Sequence, residues 1–77
     1  MLRYLVVYEK TKTGYSSYAP DLPGCAATGH TRADCEKTMA AALEMHLAGM
    51  REDGIPPPPQ RAFAEVMVMA SKQRRVA

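Results

Sequence analysis

The chain has 77 residues, with 10 Lys and Arg against 8 Asp and Glu, for a net charge of +2. That length makes one small domain, and the balance lacks the basic bias of a dedicated nucleic-acid binder. No apolar run reaches the roughly 18 residues of a membrane span, and the charges of Glu9 and Lys10 soon after the N-terminus argue against a secretory signal, so a cytoplasmic protein is expected.

Leu2 to Tyr8 is rich in Tyr, Val and Leu and predicts a first strand. Lys10 to Gly14 is polar, ends in glycine and suits a hairpin loop. Tyr15 to Ala19 predicts a second strand. Pro20-Asp21-Leu22-Pro23-Gly24 then forces a stiff turn, because both prolines fix φ and Gly24 tolerates positive φ. Cys25 to Gly29 predicts a short third strand.

Thr31 is a good helix N-cap, with Asp34 three residues later favouring the positive helix end. No proline interrupts Arg32 to Asp53, which predicts a helix of about 22 residues, or about 33 Å. Cys35, Met39, Ala42, Leu43, His46, Leu47 and Met50 recur at helical spacing and form one buried stripe. Gly54 is placed to end the helix. Pro56 to Pro59 makes a stiff extended spacer.

Ala62 to Ala70 predicts a fourth strand, and residues 70–77 a flexible basic tail. The expected fold class is α+β, a single domain over 1–77 in the order β-β-β-α-β. A right-handed helical crossover would bring strand four parallel to strand one. The expected mixed four-stranded sheet therefore has order 3-2-1-4, with one helix on one face. In strand four Phe63, Glu65, Met67 and Met69 alternate with Ala64, Val66, Val68 and Ala70. The small and branched set suits packing under the helix, leaving Phe63, Met67 and Met69 for a partner or a homodimer.

Catalytic chemistry finds little footing. The acids Glu9, Asp21, Asp34, Glu36, Glu44, Glu52, Asp53 and Glu65 do not gather into a metal-holding cluster. The Cys25-x4-His30-x4-Cys35 spacing fits no standard zinc site. His46, on the helix stripe, lies about 16 Å along the helix from Cys35, too far to share an ion. A Cys25/His30 nucleophile pair lacks an orienting third group. No enzyme activity, metal or cofactor is expected, and two cytosolic cysteines are expected to stay reduced.

Several segments together resemble the HicB-like antitoxins. They are Tyr15-Ser16-x-Tyr18, Pro20-Asp21-Leu22-Pro23-Gly24-Cys25, Thr28-Gly29-x-Thr31, Leu43-x-x-His46-Leu47 and Glu52-Asp53-Gly54-x-Pro56. The resemblance implies a partial ribonuclease-H-like fold without established activity. It also implies a toxin-antitoxin role: binding a small, basic, HicA-type toxin that cleaves messenger RNA, and blocking its active site. Many members add a C-terminal DNA-binding domain that represses an operon. This sequence stops at Ala77, so operator binding is not expected.

Exposure logic puts the toxin contact on the rigid Asp21-Leu22-Pro23 turn, with Asp21 facing a basic partner. Two other readings stay open. One is an RNA- or DNA-binding accessory module using Lys72, Arg74 and Arg75 to reach phosphates. The other is an orphan homo-oligomeric domain without a toxin.

Overall fold

A computed structural model describes residues 1–71. Its elements are β1 (Val7–Lys10), β2 (Tyr15–Tyr18), β3 (Ala26–Gly29) and α1 (Arg32–Glu52). The three strands form an antiparallel meander in the order β1-β2-β3. Val7 lies opposite Tyr18 and Lys10 opposite Tyr15, while Tyr15 lies opposite Gly29 and Tyr18 opposite Ala26. The hairpin between β1 and β2 closes with Thr11 N–H donating to the Gly14 carbonyl at 2.8 Å.

The helix begins where the cap residue predicts. The Thr31 hydroxyl accepts from the Asp34 amide at 3.1 Å, meeting one of the four orphan N–H groups of the first turn. It ends in a Schellman motif. The Gly54 amide donates to the Arg51 carbonyl at 3.1 Å, and the Ile55 amide to the Met50 carbonyl at 2.8 Å. Gly54 sits at φ +70°, a backbone region costly for any residue with a Cβ.

Alternation along the strands decides what the helix covers. Tyr8, Ser17 and Ala27 stand on one row across the sheet and face α1. Ala19, Leu22, Cys25 and Met39 form the buried centre, with Tyr4, Val6, Ala27, Ala42, Leu43, Leu47 and Met50 packed around it. Cys35 is fully buried, and its thiol donates to the Ser17 hydroxyl at 3.3 Å. Ser17 passes its own proton toward the Ala27 carbonyl at 3.3 Å, so the buried polar group is satisfied. His46 is half-buried on the helix stripe.

The expected fourth strand is absent from the described residues, and with it the 3-2-1-4 order. Residues 55–71 run without ladder partners. The cause lies in three hydrogen bonds. Tyr4 O–H donates to the Pro58 carbonyl at 2.6 Å. The amides of Arg61 and Ala62 then donate to one carboxylate oxygen of Asp21, at 2.9 and 3.0 Å. The chain is thereby drawn from the N-terminal segment across the end of the sheet to the β2–β3 turn. It does not run beside β1.

Strand one changes for the same reason. Pairing starts at Val7 rather than Leu2, because Leu2 to Val6 extends beyond the end of β2 and meets residues 58–60 through the Tyr4 hydroxyl instead of a strand ladder. Beyond Ala62 the chain leaves the body as an exposed arm. The Cα radius of gyration is 16.9 Å, and the molecule spans 64 × 28 × 18 Å. A compact chain of this length would have a radius near 11 Å.

Candidate functional site

The Pro-Asp-Leu-Pro-Gly segment folds as two tight turns sharing Leu22. Leu22 N–H donates to the Ala19 carbonyl and Cys25 N–H to the Leu22 carbonyl, both at 3.0 Å. Each turn has a proline at its second position, where a fixed φ is already correct. Gly24 takes φ +86° at the third position of the second turn, which makes it type II. Ala19 N–H to the Cys25 carbonyl at 3.1 Å closes the pair into a small rigid loop.

This geometry redistributes the residues expected to touch a partner. Leu22 points inward and is 1% exposed, so it is a core residue and not a surface contact. The surface placement expected for it gives way because the corner shared by two turns aims its side chain under the loop. Asp21 is half-buried and spends its carboxylate on the arm's root. Pro23 is exposed. Nothing in the sequence near Asp21 signals its bonds to residues 40 and 41 positions away; only the folded chain reveals them.

The Asp21 carboxyl is held below its ordinary value of 3.8 by the Ala62 amide first and the Arg61 amide second. A carboxylate that accepts backbone N–H groups favours its charged form. The latch is therefore complete above the ordinary value and is lost as pH falls through the lowered one. The Arg61 and Ala62 amide resonances are expected to titrate with a midpoint below 3.8, and Asp21→Asn to abolish that step. A midpoint at or above 3.8 would contradict the latch.

Past the latch, Phe63 is 86% exposed, Val66 91%, Met67 73%, Val68 94% and Met69 78%. Phe63, Met67 and Met69 thus lie on one projecting segment, which starts at the Ala62 amide held by Asp21. Lys72, Arg74 and Arg75, the expected phosphate contacts, lie outside the described residues.

Among the described residues no element covers the sheet face opposite α1, where Tyr18, Ala26 and Thr28 are exposed. Its rows are Val7, Tyr18 and Ala26, then Glu9, Ser16 and Thr28. Tyr18 is 44% exposed and stands at the centre of the first row. On the covered face, the Arg32 guanidinium lies 5.7 Å from the Tyr8 ring centre and pairs with Glu36 at 3.1 Å. Burial, then the nearby Glu36, raises the Tyr8 hydroxyl above its ordinary value.

The cysteines are unbridged and buried. Burial pushes the Cys25 thiol up, away from the thiolate that a nucleophile needs. Among the described residues no three metal-ligating side chains converge. No helix among them is long and apolar enough to cross a membrane.

Comparison with known proteins gives a consistent picture. The model of the HicB-like antitoxins of bacterial toxin-antitoxin systems matches residues 4–74. Among solved structures, the chain is similar to one in a HicA3 and HicB3 toxin-antitoxin complex. The identity is 33% and the TM-score 0.64, over 77% of this chain and 70% of that one. A search of curated proteins gives no match. The turn, the cap and the helix exit that carry the resemblance in sequence are the same features that build this body, and the chain belongs to the HicB-like antitoxin family.

Proposed function

We propose that this protein is the antitoxin of a toxin-antitoxin pair and neutralises a small HicA-type, messenger-RNA-cleaving toxin by direct contact in the cytoplasm. The observation that carries this reading is the family match over residues 4–74, joined by the likeness to a chain of a HicA3 and HicB3 complex. The chemistry is blockade. The sheet face opposite α1 would do the covering, and the buried cysteines and scattered acids are suited to structure.

The toxin would dock on the open sheet face. Tyr18 supplies a half-exposed aromatic anchor at its centre, flanked by Val7 and Ala26, and Glu9 lies on the neighbouring row. Tyrosines buried on binding dominate many interfaces, and the single carboxylate of Glu9 suits a partner made to hold RNA. The face is rigid because three paired strands and α1 support it, so little ordering cost is added on binding.

The test uses the HicA-type toxin of the same host, with calorimetry and a messenger-RNA cleavage assay. Wild-type chain is expected to bind stoichiometrically and stop cleavage. Tyr18→Ala should weaken binding by about tenfold or more while far-UV circular dichroism stays unchanged. Unchanged affinity in that variant would remove the open face from the interface.

A further inference from the structure

We propose that residues 63–70 of one copy insert as a fourth strand beside Leu2–Lys10 of a second copy, and that the exchange is reciprocal. Two unmet needs on the same chain lead there. The first is an edge. Among the described residues β1 pairs only with β2, and Leu2 to Val6 continues outward from it without a ladder partner. Exposed strand edges invite a further strand.

The second is the arm. Phe63-Ala64-Glu65-Val66-Met67-Val68-Met69-Ala70 is apolar on both of its faces, with Glu65 as its single charge. A strand apolar on both faces belongs inside a sheet that is covered on both sides. Here it stands in solvent.

The arm does not reach its own β1 edge. Pro58 is tied to Tyr4, and Arg61 and Ala62 are tied to Asp21, so the arm's root points across the sheet end. Residues 61–70 hold no glycine or proline to turn the chain back. A second copy removes the conflict. Exchange of an identical element makes between copies the contacts that one chain would otherwise make within itself.

Dimensions agree. Eight extended residues reach about 26 Å, and the nine-residue acceptor segment about 30 Å. Five large apolar side chains on the arm offer on the order of 700 Å² per chain, close to the ~800 Å² that each partner gives to a standard interface. Arg3, exposed on the acceptor segment, is opposite in charge to Glu65 of the incoming arm. Strand exchange between two copies of this chain needs no toxin.

Sedimentation equilibrium of the full chain at tens of micromolar, paired with amide hydrogen exchange, tests it. Wild type should sediment at twice its 8.4 kDa mass, with amides of residues 64–70 and of Leu2–Val6 protected together. Val66→Lys with Val68→Lys should raise the dimer dissociation constant roughly a hundredfold and expose both segments, while α1 keeps its helical signal. A monomeric wild type would overturn the proposal. So would a dimer that survives the double substitution, a dimer whose arm amides stay unprotected, or an arm protected only when a HicA-type toxin is added.

Discussion

Leu22→Ala should remove about 2–5 kcal/mol of stability, a large share of what a domain this small possesses. Leu22 is 1% exposed and sits at the corner shared by the two turns. Its side chain joins Ala19, Cys25 and Met39 in the buried centre, where the turn region meets α1. The two flanking prolines hold the loop backbone still, so the site cannot collapse onto a smaller side chain, and a cavity remains. Urea unfolding followed by circular dichroism should show the loss as a lower midpoint with little change in slope. A midpoint unchanged from wild type would mean that the turn packs elsewhere.

Gly29→Ala should be comparably damaging, for a steric reason. A Cβ added there would lie 2.5 Å from the Cys35 amide nitrogen, 2.9 Å from the Cys35 Cα and 3.0 Å from the Asp34 carbonyl carbon. These are backbone atoms of the first turn of α1, so no flexible side chain can swing aside. The helix must lift off β3, and that also pulls the Cys35 thiol away from Ser17. Overpacking of this kind costs about 1–3 kcal/mol or more. Gly49→Ala is the natural control. A Cβ there meets nothing within 4 Å, so helix propensity should make that variant more stable by about 0.5–1 kcal/mol. Melting temperatures should move in opposite directions for the two variants; a melting temperature of Gly29→Ala at or above wild type would show that Gly29 is not wedged against the helix.

Local rules made much of this molecule legible in its sequence. Thr31, Asp34 and Gly54 bound α1 to within a residue, because caps depend on neighbours close in the chain. The Pro-Asp-Leu-Pro-Gly run gave a turn, because φ at proline and at Gly24 is set locally. The stripe from Cys35 to Met50 marked the buried side of the helix, although Cys35 and Met39 alone are fully covered.

What escaped was set by contacts distant in sequence. Ala62 to Ala70 has the alternation of a strand, but a strand needs a neighbour, and the Asp21 latch carries the chain away from β1. The crossover rule that favours strand four beside strand one concerns topology and is silent about a single carboxylate. Leu22 is a similar case, since a residue inside a turn motif reads as surface until the fold shows which way the corner aims. Asp21 and Leu22 therefore both hold the structure, Asp21 through the Arg61 and Ala62 amides and Leu22 in the buried centre, and the proposed contacts with partners fall on the sheet face opposite α1 and on the arm.

The most direct measurement is inhibition of messenger-RNA cleavage by the HicA-type toxin of the same host, titrated with purified full-length chain. A functional antitoxin should abolish cleavage at a stoichiometric ratio, with Tyr18→Ala shifting the titration to higher concentration. Undiminished cleavage at a large molar excess of folded wild-type chain would contradict the account.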